Sequence, residues 1–152
     1  MNLPPAAWGP FFWHTMHIIA LGYPKNPTYT DKKAAKEFYE SLQHLIPCPV
    51  CRTHYQKHLA DVPLTPHLDG RTDLFKWTID IHNRVNTDLG KPLFTAKQSV
   101  DYYKRLGQIN RSPVWTPDDF AAFELKSLSA GLAIGITGTL AVGAAVYYLA
   151  KP

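Results

Sequence analysis

Residues 128–150 read LSAGLAIGITGTLAVGAAVYYLA and carry no charged side chain. No other stretch narrows the folding options as much. At ~1.5 Å of rise per residue such a run forms a helix able to cross a ~30 Å hydrocarbon core. A buried hairpin helix is the competing arrangement. Length, absence of charge and terminal position favour a single membrane span. Lys126 and Lys151 flank the run, and Tyr147 and Tyr148 fall where interfacial aromatics sit. Gly131, Gly135, Thr139 and Gly143 recur every four residues. That suits a helix-packing face and equally the ordinary glycine content of membrane helices. At the other end, Met1-Asn2-Leu3-Pro4-Pro5 lacks a basic stretch followed by an apolar run, so no signal peptide is expected.

The remainder of the 152-residue chain suits one domain, to which the span is an appendage. Its net charge is +4 with scattered basic residues, which argues against nucleic-acid binding. Four Trp, eight Tyr and seven Phe are core material or a stacking surface for a planar ligand. Residues 7–21 read as a buried helix carrying Trp8, Trp13, His14 and His17, stopped by Gly22-Tyr23-Pro24. Trp13 and His17, four apart, share a face. Thr30 is the expected cap of a second helix with Asp31 in its first turn, and Pro47 ends it. Its apolar stripe is Ala34, Ala35, Phe38, Leu42 and Leu45. A third helix runs from the cysteines to about Ala60. After a loop over residues 62–70, residues 72–89 form the longest soluble helix, with Leu74, Phe75, Trp77, Thr78, Ile81, Val85 and Leu89 facing inward. Gly90 and Pro92 stop it. Thr95-x-x-Gln98 is a capping box opening a helix to about Leu106, and residues 107–113 read as a linker. Thr116-Pro117-Asp118-Asp119 then starts a helix that can run into the membrane. No alternating strand pattern is present, so the soluble part is all-α.

Cys48 and Cys51, in Pro47-Cys48-Pro49-Val50-Cys51, are the only cysteines. Pro49 is tolerated in a first helical turn, where its missing N–H would have had no partner. A helix N-terminus favours thiolate, and the three-residue offset places both sulfurs on one face, close enough to bond. Redox chemistry, zinc and coincidence all remain open for a lone C-x-x-C. Zinc gains from His54 and His58 at helical spacing. However, a continuous helix spreads the four side chains over ~15 Å, whereas zinc needs all of them within ~2.0–2.3 Å.

His82, Asn83 and Asn86 interrupt an otherwise core-like helix. Asn is unfavourable in mid-helix, so the pair reads as surface or as donors to a polar ring system, with Lys91 just beyond the helix end.

Together, Trp13-x-x-x-His17, Tyr23-Pro24, Cys48-Pro49-Val50-Cys51 and Trp77-x-x-x-x-His82-Asn83-x-Val85-Asn86-x-x-Leu89-Gly90-Lys91 resemble the Erv/ALR family of FAD-linked sulfhydryl oxidases, along roughly residues 8–103. The resemblance implies a four-helix bundle plus a short fifth helix, usually homodimeric, holding FAD. It implies that a substrate dithiol attacks the outer Cys48, that Cys51 hands the electrons to the flavin, and that oxygen leaves as peroxide. It implies FAD contacts from Trp13, His17, Tyr23, His82, Asn83, Val85, Asn86 and Lys91. Tyr103 falls where relatives place an adenine-stacking Trp.

The chain also departs from the family. Ile79 and Ala96 stand where a structural disulfide is usual, and no shuttle cysteines are present. Substrate thiols must reach Cys48 directly or through a thioredoxin-like carrier, and a dimer would rest on packing alone. This minimal form resembles those of large DNA viruses. The expected organisation is an oxidase domain over 1–107, a linker and juxtamembrane helix over 108–127, and a membrane helix over 128–150. That anchor would leave the catalytic domain cytosolic, on a host membrane or virion. The alternative is a membrane-tethered helical adaptor with a structural or zinc-binding cysteine pair.

Overall fold

The computed structural model describes residues 3–109 and 117–150. Six α-helices follow in order: α1 (Pro5–Gly22), α2 (Tyr29–Leu45), α3 (Pro49–Asp61), α4 (Arg71–Asp88), α5 (Ala96–Ile109) and α6 (Pro117–Leu149). There is no strand among the described residues. Two units divide the chain, Met1–Ile109 and Asn110–Pro152. In the first, α4 packs on α1, α3 and α5, and α2 packs on α3.

Prolines punctuate this unit. Pro5 opens α1 without losing a helical bond, since N–H groups of the first turn have no partner. Pro24 forces Tyr23 into extended backbone, φ −62° and ψ 144°, and α1 stops there. Pro47 does the same to Ile46 at the end of α2. Pro10, inside α1, forfeits one backbone bond without ending the helix.

The cap of α2 is Thr28, not the expected Thr30. The Asp31 amide donates to Thr28 Oγ1 at 3.3 Å, and the Thr28 amide donates to Asp31 Oδ2 at 2.8 Å. That reciprocal pair needs the acid three residues after the cap, a spacing Thr28 has and Thr30 lacks. The expected capping box of α5 forms: Thr95 N–H donates to Gln98 Oε1 at 2.8 Å, and Gln98 N–H to Thr95 Oγ1 at 3.2 Å. This helix continues past Leu106 to Ile109, so Gly107 is helical rather than linker. Thr116, Lys151 and the linker residues 110–113 lie outside the described residues.

Three large side chains tie the bundle. Trp77 and Tyr39 are fully buried and meet edge to face, centroids 5.2 Å apart. Tyr39 donates its hydroxyl to the Met16 carbonyl at 2.7 Å, joining α2 to α1. Tyr55 donates to the Tyr39 carbonyl at 3.0 Å, joining α3 to α2. Each polar tip thus finds a partner, while the rings contribute roughly 1.5–3 kcal/mol apiece by burial. Leu45, expected on the inner stripe of α2, is 65% exposed, because Tyr39 and Leu42 carry the packing.

Gly90 ends α4 at φ 63°, a left-handed turn that glycine adopts freely. Its N–H donates to the Thr87 carbonyl at 3.1 Å, and Lys91 N–H donates to the Asn86 carbonyl at 2.8 Å. The turn carries Leu89 outward. Expected in the core, it is 59% exposed.

In the second unit α6 is one continuous helix. Its stretch Glu124–Leu149, 26 residues, is long and apolar enough to cross a membrane.

Candidate active site

The first cluster sits where α3 begins. Cys48 is the N-cap, and its Sγ accepts the Cys51 backbone N–H at 3.2 Å. The two cysteines are disulfide-bonded, with Cα atoms 5.1 Å apart. Pro49 fixes the first turn between them. Arg52 Nε donates to the Ile46 carbonyl at 2.6 Å and pins the approach to the turn. Both cysteines pack partly against the core, while Pro47, Pro49 and Val50 around them are exposed. A thiolate released here faces the unpaired amides of a helix N-terminus, which stabilise it.

His54 on the same helix is exposed, and His58 is buried. The Asp88 carboxylate of α4 comes within 3.0 Å of His58 Nε2 but off the hydrogen-bond line, so neither ring nitrogen is bonded. Among the described residues no three His, Cys, Asp or Glu side chains gather as a metal site.

The second cluster joins α1, α4 and α5. The rings of Trp13 and His82 lie parallel, centroids 3.9 Å apart with 5° between planes. His17 Nε2 is 3.1 Å from His82 Nδ1, and His17 Nδ1 is 2.9 Å from Thr78 Oγ1. Tyr103 tilts against His17, centroids 5.9 Å apart, and its hydroxyl meets His14 Nδ1 at 3.1 Å. Burial, aided by the fields of His82 and His14, pulls the His17 pKa down to about 3. Burial, aided by Lys91 and His14, pulls His82 down to about 4. Both rings are therefore neutral at physiological pH. Burial raises the Tyr103 pKa, so its hydroxyl keeps its proton.

Trp13, His17, His82 and Tyr103 thus meet in one place. Asn86, one turn beyond His82, is buried, Val85 is half-buried, and Lys91 is exposed but near enough for its charge to act on His82. Two expected residues have other engagements. Tyr23 donates to the Leu68 carbonyl at 3.1 Å, and its own carbonyl accepts from Arg71 Nε at 2.6 Å. Asn83 clasps the backbone of Phe94, donating to its carbonyl at 2.7 Å and accepting its N–H at 2.9 Å. His14 and Thr78 join the cluster without having been singled out as site residues. The signal for Thr78 was its place four residues before His82, on the same helix face.

The Erv1/Alr family model matches residues 10–105. Over 100 residues the chain is 43% identical to a probable FAD-linked sulfhydryl oxidase of Acanthamoeba polyphaga mimivirus, covering 65% of this chain and 70% of that protein. An FAD-linked sulfhydryl oxidase of African swine fever virus is 32% identical over 98 residues, covering 64% of this chain and 81% of the other. The crystal structure of the FAD-binding domain of Erv1 from Saccharomyces cerevisiae superposes with a TM-score of 0.58 at 30% identity, over 61% of this chain and 87% of that one. The match spans both the bonded cysteine pair and the histidine–aromatic cluster, and on that evidence the chain belongs to the Erv1/Alr family.

Proposed function

We propose that this chain is an FAD-linked sulfhydryl oxidase, a thiol oxidase that forms disulfides in protein substrates with oxygen as acceptor. One observation carries the reading. The chain's only two cysteines are bonded to each other in the first turn of α3, and that helix packs on the helix bearing His82.

The protein's own chemistry is thiol–disulfide exchange. A substrate thiolate attacks Cys48 Sγ, the Cys48–Cys51 bond breaks, and Cys51 leaves as a thiolate. The second substrate thiol, deprotonated, attacks the substrate sulfur of the mixed disulfide and expels Cys48. Two electrons have then passed from substrate to the cysteine pair, and the two protons lost by the substrate thiols go to solvent. The Cys51 amide on Cys48 Sγ eases that second departure, because a stabilised thiolate leaves faster. FAD, when bound, supplies a two-electron acceptor that passes the electrons on to oxygen and gives hydrogen peroxide.

The residues fit such a group. Asn86 is only 5% exposed, yet its carboxamide makes no hydrogen bond among the described residues. The parallel Trp13 and His82 rings suit a flat polycycle, and Lys91 offers a cation. We assign Trp13, His17, His82, Val85, Asn86, Lys91 and Tyr103 to holding FAD, with Tyr23 and Asn83 framing it through the backbone they bind. Residues 1–107 form the oxidase domain, 108–127 a connector and juxtamembrane segment, and 128–150 a membrane anchor that keeps the domain among reduced cytosolic thiols. Phe11 and Ile18, seven apart on α1 and half exposed, support packing against a second copy.

The test is a visible spectrum of the full chain purified in detergent. A flavin spectrum that bleaches with dithiol and returns with air is expected. Cys51→Ser should keep the colour and stop oxygen consumption. A folded helical protein that stays colourless after incubation with FAD would overturn the proposal.

A further inference from the structure

The Thr78 hydroxyl has one proton and two neighbours. The Phe75 carbonyl oxygen lies 2.7 Å away and His17 Nδ1 lies 2.9 Å away. A carbonyl only accepts, and two oxygens approach this closely in a buried site only with a proton between them. Thr78 is 0% exposed and Phe75 5%, which leaves no room for water to mediate. The proton therefore goes to Phe75. Thr78 Oγ1 can then only accept from His17, so His17 carries its proton on Nδ1. His17 is neutral, which leaves its Nε2 bare. That bare nitrogen faces His82 Nδ1 at 3.1 Å, and the contact needs one proton, which only His82 can supply. His82 is neutral too, so its own Nε2 is left without a proton. This nitrogen has no partner among the described residues, and His82 is only half-buried.

We infer that Thr78 is a positioning residue that sets the tautomers of His17 and His82 in series, so that His82 presents an unprotonated Nε2, a hydrogen-bond acceptor, to the bound ligand. The ligand must then offer an N–H or O–H at that point. FAD has such donors in its hydroxyls, its adenine amino group and its flavin N–H. Only this last identification rests on the oxidase reading; the proton order stands without it.

The experiment is long-range proton–nitrogen correlation NMR on the FAD-free full chain in detergent, labelled with nitrogen-15 at histidine. Wild type should show His17 and His82 both protonated on Nδ1. Thr78→Val keeps the shape and removes the acceptor, so His17 should move its proton to Nε2 and His82 should follow. FAD binding should weaken about tenfold to a hundredfold, the consequence of inverting one buried hydrogen bond. Thr78→Ser should restore both the pattern and the affinity. A wild-type His82 protonated on Nε2 would overturn the inference, as would a pattern unchanged in Thr78→Val. Should circular dichroism show that Thr78→Val does not fold, the wild-type spectrum still decides. The expected pattern in a protein that does not bind FAD would sink the oxidase reading and leave the proton order standing.

Discussion

Holding two histidines neutral in a buried site makes the bundle acid-sensitive. Unfolded, each takes up a proton near the ordinary value of 6.5; folded, His17 does so only near about 3 and His82 near about 4. Between those limits the unfolded state binds more protons, so stability falls as pH falls. The contribution is complete above pH 6.5 and drains away down to about pH 3 for His17 and about pH 4 for His82. At pH 5 each histidine has given up about 2 kcal/mol, at roughly 1.4 kcal/mol per pH unit, or about 4 kcal/mol for the pair. Against a typical domain stability of ~5–15 kcal/mol that loss is large. The assay is the denaturation midpoint of the FAD-free protein, followed by near-ultraviolet circular dichroism at pH 7.5 and pH 5.0. Wild type is compared with His17→Gln/His82→Gln, so that the carboxylates, common to both, cancel. The double variant should be weaker at pH 7.5 and lose about 4 kcal/mol less on acidification. Equal losses in the two proteins would refute the reasoning.

Gly90→Ala should cost about 1–2 kcal/mol, read as a lower melting temperature; a Cβ there meets nothing within 4 Å, so the penalty is backbone strain alone. Asn83→Ala removes both bonds to Phe94 and should speed hydrogen exchange at the Phe94 amide about tenfold or more, with exchange in α2 unchanged.

What the sequence made legible was chemistry fixed by neighbours. Pro24, Pro47 and Gly90 stop helices because of their own covalent geometry, and the Thr95–Gln98 box closes within four residues. Features that depend on choice between near equals were harder. Thr28 and Thr30 both cap plausibly, and only the distance to Asp31 separates them. Leu89 continues the apolar period of α4, but the left-handed turn at Gly90 removes it from the helix, while the polar Asn86 stays buried. Farthest from view was Thr78. Its place on the inner face is readable, but its partner His17 is 61 residues away, and no local pattern says which proton goes where.

The arrangement of α4 explains why core and site are hard to separate in this family member. Leu74, Trp77 and Ile81 form one stripe along the helix, and Phe75, Thr78 and His82, continued by Asn86, form the next, one residue or ~100° around. The first stripe packs the bundle and the second builds the cluster with α1 and α5. Both are largely buried, since α4 is flanked by α1, α3 and α5. A substitution on the second stripe therefore changes the packing of the first. Loss of flavin alone cannot tell a damaged helix contact from a missing ligand contact. The ring-nitrogen protons of His82 and the acid dependence of stability can, because a purely structural defect moves neither in the direction expected here.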